Sequence, residues 1–205
     1  MSFSLEDLNN LYLDVLREIG NIGSGNAASA LAKMIQKRID MDVPHVRILS
    51  FQEAAEALGG EEIVVAGIYF QLEGDLQGNI MFLMDISSSK ILTSMLMGRE
   101  DEDGELDEMD RSALQEIGNI LSGSYVSSLS ALTGLDLKIS VPSLCIDMAG
   151  AILSVPAIQF SQTFDKILLI ETTLTEGNNL VKGNFFLIPD SGSFEKLLSS
   201  LGVYN

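Results

Sequence analysis

A carboxylate and a carboxamide stand three residues apart at two places in this chain, Glu18 with Asn21 and Glu116 with Asn119. Each pair lies inside the same phrase, Glu-Ile-Gly-Asn-Ile, at 18–22 and again at 116–120. Asn cannot act as a base, and the single histidine, His45, has no counterpart in the second copy. A carboxamide can, however, accept and donate hydrogen bonds together, and so hold and orient a water. That is the task of the water-positioning Gln in phosphoryl-transfer enzymes. Such a site needs a substrate that brings its own electrophile and metal.

The spacing predicts how the side chains are presented. Four residues before each Glu is a small polar residue, Asp14 or Ser112, and a proline follows each Asn at the same distance, Pro44 or Pro142. On a helix turning about 100° per residue, Asp14, Glu18 and Asn21 fall within roughly 60° of one another. Leu8, Leu11, Val15, Ile19 and Ile22 cluster a quarter turn away, toward the core. Ser112, Glu116 and Asn119 repeat the stripe beside Met109, Ala113, Ile117 and Ile120. A Glu and an Asn so spaced are ordinarily solvated residues, and duplication can reflect shared ancestry under packing constraints. Packing accounts for the isoleucines but not for Asn, a poor helix former. Gly20 and Gly118 beside each Asn are equally poor, and are expected to leave room there for another surface.

The elements that must carry these stripes also come twice. Ser24-Gly25 matches Ser122-Gly123, Ser29 matches Ser127, and Val43-Pro44 matches Val141-Pro142. Farther on, Gly78-Asn79 matches Gly183-Asn184 and Asp85 matches Asp190. A repeat of this length reads as a duplicated half-domain, not a solenoid. In each half a motif helix, for which Ser4-x-x-Asp7 is a candidate cap in the first copy, runs to a Val-Pro that ends the helical region. A short strand and short helix (51–58 in the first half) follow. Then come β runs at 63–72 and 78–85, matched by 167–174 and 180–188, joined around Glu73-Gly74-Asp75 and Glu176-Gly177-Asn178. Helices close the halves at 87–97 and 193–201. The expected fold is α/β of the α+β type. Pseudo-two-fold half-domains, about 1–99 and 107–205, share a mainly antiparallel sheet with the two motif helices on it. An acidic linker at about 100–106 joins them.

The chain's 205 residues can bury a real core, and its formal net charge of -17 argues against nucleic acid or an anionic membrane as partner. Between Glu100 and Asp110, eight of eleven residues are acidic, which reads as a solvated linker leading into a helix. One cysteine, Cys145, among apolar neighbours, excludes an internal disulfide and suits a reducing compartment. With no export signal and no apolar stretch of about 20 residues, a cytoplasmic protein is expected.

The pattern Asp/Ser-x3-Glu-x2-Asn-x22-Pro, met in full by Asp14, Glu18, Asn21, Pro44 and by Ser112, Glu116, Asn119, Pro142, resembles the CheC/CheX/FliY phosphatases of bacterial chemotaxis. The resemblance covers essentially the whole chain. Two copies in about 200 residues, without an appended flagellar-switch domain, place it nearest the two-copy branch of that family. The resemblance implies an enzyme, a protein aspartyl-phosphate phosphatase acting on the phosphorylated response regulator CheY. It implies that Asn21 and Asn119 align the attacking water and that Glu18 and Glu116 contact the regulator's active-site lysine. Asp14, Ser112, Pro44 and Pro142 would be supporting motif residues, structural more than chemical. No cofactor of its own is implied, since CheY supplies the Mg²⁺. A second implied partner is the receptor deamidase CheD, in a heterodimer, with the chain otherwise a monomer. The rival reading is a non-catalytic adaptor that captures CheD or phosphorylated CheY.

Other signals carry less. Gly20-x-x-Gly23-x-Gly25 sits in a helical segment and not after a strand, so it is weak as a nucleotide loop. The small residues from Ser24 to Ala30 are expected to let the motif helices pack closely. Ser87-x-x-Lys90 reads as a helix start, His45 as a strand or loop residue, and Met81, Met84, Met95 and Met97 as core filler.

Overall fold

The computed structural model describes residues 10–43, 45–99, 105–160 and 166–201. The candidate cap at Ser4 and Asp7, Leu8, Pro44 and most of the acidic linker lie outside the described residues. One order of elements occurs twice. The first half runs α1 (Asn10–Ile35), β1 (Asp40–Asp42), β2 (Val46–Ser50), α2 (Phe51–Ala57), β3 (Val64–Gly74), β4 (Gly78–Asp85) and α3 (Ile86–Met97). The second runs α4 (Glu108–Thr133), β5 (Leu137–Ile139), β6 (Ser143–Met148), α5 (Ala149–Phe160), β7 (Lys166–Glu176), β8 (Asn179–Pro189) and α6 (Ser191–Ser200).

All eight strands form one antiparallel sheet in the order β1-β7-β8-β4-β3-β5, with β2 beside β1 on β7 and β6 beside β5 on β3. The halves join through β4 and β8, where Phe82 lies opposite Phe185. The edge strands are exchanged. First-half Val46 pairs with second-half Ile170, and second-half Leu144 pairs with first-half Ile68.

Alternation along the central strands feeds two cores. Ile80, Phe82 and Met84 face α1, α3 and α4, whereas Met81 and Leu83 face α2 and α5. A strand buried on both sides reads as a continuous apolar run, which is why the segment from Ile80 to Met84 carries no polar residue. The repeated aspartates are helix caps: Asp85 accepts from Ser88 N at 2.7 Å and Asp190 from Ser193 N at 2.7 Å.

Val-Pro does not end the motif helices. A residue with positive φ follows each, Gln36 after α1 and Gly134 after α4. Pro142 instead sits between β5 and β6. There the edge advances four residues, Ile139 to Ser143, while β3 advances three, Leu72 to Tyr69. Proline has no N–H for a ladder and is tolerated at such an edge break. From Asp42 to Val46 the other edge makes the same break against Thr173 and Ile170.

The described end of the acidic run leads into α4, as its composition predicts. Asp107 caps the helix and forms a capping box with Asp110, while Arg99 bonds Asp110. Burial pushes the Asp110 carboxyl up, but bonds from Asp107 N, Thr93 and Arg99 outweigh it and hold the group below the usual carboxylate range. Among the described residues, no helix is long and apolar enough to cross a membrane.

Candidate functional site

Both stripes emerge at the surface as the helical spacing predicts. Glu18, Asn21, Glu116 and Asn119 are exposed, while Ile19 and Ile117 beside them are buried. Among the described residues, none makes a hydrogen bond or ion pair to these four side chains. Other asparagines do find partners: Asn26 donates to Ser128 Oγ at 3.2 Å and Asn79 to Gln159 Oε1 at 3.1 Å. The motif carboxamides are thus held on rigid helices with their bonding capacity turned outward.

The inward side of each helix explains one glycine. A Cβ at Gly118 would come within 2.6 Å of Ile68 Cδ1, and one at Gly20 within 3.2 Å of Val43 Cγ1 and 3.3 Å of Ile170 Cγ2. These glycines let the helices lie close on the chain's own sheet. They leave no room for an external surface, contrary to the expectation from sequence, because a neighbour of Asn on a helix points about 100° away. Gly118→Ala is expected to lower unfolding free energy by about 1–3 kcal/mol through overpacking, measurable by urea denaturation.

The helices pack on one another through small residues, as expected for Ser24, Ala27 and Ala28. Tyr125 of α4 fills the junction. Its hydroxyl lies 3.1 Å from Ser24 Oγ, its ring stacks on Phe185 at 4.6 Å between centroids, and Gly23 lies against the ring. Gly25 and Ser29 take no part in this packing, both being exposed.

The supporting positions differ between copies. Asp14 pairs with Arg17 at 3.6 Å, one turn along the exposed face. Ser112 instead donates from Oγ to the Glu108 carbonyl at 3.0 Å. Two apolar residues placed beside the core by periodicity are on the surface: Ile22 is 37% exposed and Met109 67%. Met109 is in the first turn of α4. Ile120 is partly buried against the core. His45 precedes β2, with Nδ1 2.9 Å from Glu171 Oε2. Met81, Met84 and Met95 are core residues, and α3 begins with Ser88 bonded to its cap.

The concavities lie elsewhere. One cleft of about 330 Å³ is lined by Gln71, Gln77, Asn79, Gln159 and Asp190 among others. Another of about 360 Å³ includes His45, Asp85, Glu171 and Lys182. No motif residue lines either. A small-molecule site is ordinarily concave, whereas polar groups on the convex face of a helix suit a macromolecular surface that supplies the cavity.

The model of the CheC-like family matches residues 11–48 and 109–146, two blocks that contain both stripes and both prolines. The CheY-P phosphatase CheC of Bacillus subtilis is 40% identical over 196 residues, covering 93% of this chain and 94% of that protein. The chain belongs to the CheC-like family. Among solved structures, Thermotoga maritima FliY has the same fold as this CheC-like chain. It shows a TM-score of 0.77 at 24% identity, covering 96% of this chain and 98% of its own. The CheX of a CheX-CheY-BeF3-Mg²⁺ complex from Borrelia burgdorferi aligns with a TM-score of 0.50 at 20% identity, covering 82% of this chain and 96% of its own. Both matched blocks of the CheC-like model run from a motif helix into the edge strands that the other half receives.

Proposed function

We infer that this protein is a phosphatase that accelerates dephosphorylation of the phosphorylated chemotaxis response regulator CheY. The observation that carries the reading is the exposed Glu-x-x-Asn stripe, complete in both copies, in a chain 40% identical to a protein named for that activity. In the proposed reaction Asn21 or Asn119 accepts a hydrogen bond from a water and turns its lone pair toward the phosphorus of the aspartyl phosphate. The water oxygen forms the new P–O bond as the bond to the aspartyl oxygen breaks. Inorganic phosphate and a free carboxylate result, and the water's proton leaves with phosphate and solvent. Glu18 and Glu116 dock on the regulator's active-site lysine and fix the pose. Asp14, Ser112, Pro44 and Pro142 support the stripes without touching the reacting atoms.

Mg²⁺ belongs to the regulator in this scheme, and the chain contributes no cofactor. A related fold crystallised with CheY, BeF3 and Mg²⁺ supports a receiver protein as the partner. The family resemblance extends the proposal to CheD as a second partner, to a monomer in its absence, and to the cytoplasm. It also extends to one domain built of repeats about 1–99 and 107–205.

The test is the rate of phosphate loss from phosphorylated CheY with and without the protein, alongside a titration of binding. Faster decay is expected. Binding without any change in decay would make the chain an adaptor.

A further inference from the structure

Five glycines lie within the two motif helices, and three are accounted for inside the chain. Gly20 and Gly118 meet the sheet, and Gly23 meets the Tyr125 ring. The remaining two, Gly25 and Gly123, meet nothing: a Cβ built at either has no neighbour within 4 Å. Both are mid-helix, where glycine weakens the helix relative to alanine, and neither has a positive φ that would call for it. They also occupy equivalent places, each four residues after the motif Asn and hence on the same ridge, Gly25 exposed and Gly123 half-buried. Equivalence is not automatic along these helices, because the partner of Gly23 in the second copy is Leu121.

A glycine that weakens its own helix, recurs beside each carboxamide and would meet nothing beyond its own helix if it carried a Cβ answers to something outside the chain. We propose that Gly25 and Gly123 are clearance positions. They leave the ridge without a side chain one turn beyond Asn21 and Asn119, so that the phosphorylated receiver can press against it while the carboxamide reaches the acyl phosphate. The proposal rests on the phosphatase reading above and adds two specificity-determining positions to it. A Cβ or larger group there holds the partner away, so the carboxamide falls short of the phosphoryl group.

The test uses full-length protein with one site silenced at a time. Gly25→Ala and Gly25→Leu are placed in a Glu116→Ala/Asn119→Ala background, and Gly123→Ala and Gly123→Leu in a Glu18→Ala/Asn21→Ala background, so that the second stripe neither docks nor reacts. Melting temperature, kcat and KM for CheY-phosphate, and Kd for CheY loaded with BeF3 and Mg²⁺ are measured for each. Melting temperatures are expected to hold or rise by about 1–4 °C, since both replacements favour helix. Catalytic efficiency is expected to fall at least ~10-fold for Leu, with Ala between, and KM and Kd to rise in the same order. Unchanged efficiency and Kd in the Leu variants would overturn the proposal. So would a fall in melting temperature, which would assign the glycines to the helices' own geometry. If unsubstituted protein leaves CheY-phosphate decay unaltered, the phosphatase reading fails, and the Kd series still decides whether the glycines clear a docking path. Absence of any binding would end both.

Discussion

With both Asn21→Ala and Asn119→Ala in place, acceleration of CheY-phosphate decay is expected to fall at least ~100-fold, toward the regulator's own rate. The magnitude is that of losing one preorganised group that acts only as the reaction proceeds. The substitution is clean. Neither carboxamide bonds to anything among the described residues, both are exposed, and alanine is the better helix former. Circular dichroism and melting temperature should therefore match or exceed those of the unsubstituted protein, while decay slows. Binding to CheY carrying BeF3 should change far less than the rate, since the proposed docking residues Glu18 and Glu116 are untouched. The single variants then apportion activity between copies whose supporting residues differ, Asp14 paired with Arg17 and Ser112 bonded to its own helix. Full acceleration by the double variant would sink the water-positioning role.

The largest effect on stability is expected at Tyr125. Replacing it with alanine removes a ring that is 2% exposed and stacked on Phe185, and should lower unfolding free energy by about 3–5 kcal/mol. Tyr125→Phe keeps the ring and loses only the bond to Ser24, for about 1 kcal/mol. The pH dependence separates these contributions. Burial pushes the Tyr125 hydroxyl up to about 12, against a smaller opposing pull from Ser24. In the unfolded chain it ionises near its ordinary value of about 10. The folded state thus binds the proton more tightly, so this contribution is complete below pH 10 and is lost as pH rises from 10 to 12. Urea midpoints across that window should fall less steeply in Tyr125→Phe. Equal slopes would remove Tyr125 from the account of alkaline unfolding.

Much of this could be read from the chain because the signals are local. The segment 78–85 has a glycine turn before it, an unbroken apolar run and an Asp cap after it, and it forms β4 over that span. The stripe residues follow from helical angle alone. What escaped depends on neighbours distant in sequence. Periodicity says that Val46 and Leu144 are strand residues, but not that each pairs with the opposite half. It says that Ile22 lies near the apolar side of α1, but not where the sheet stops covering that side. Most telling are the glycines. Gly20 and Gly25 look alike in the chain, yet one is pressed on Ile170 and the other faces open space.

Two copies of a site ordinarily mean that one is spare. The exchange of edge strands denies this chain that redundancy. The helix carrying Glu116 and Asn119 rests through Gly118 on Ile68 of the first half, and the helix carrying Glu18 and Asn21 rests through Gly20 on Ile170 of the second. A core lesion in either repeat therefore undermines the floor of the other repeat's site. The two stripes repeat the same residues, yet they are indivisible in folding. Surface residues of one site are free to drift while the scaffolds beneath both remain bound to a common fate.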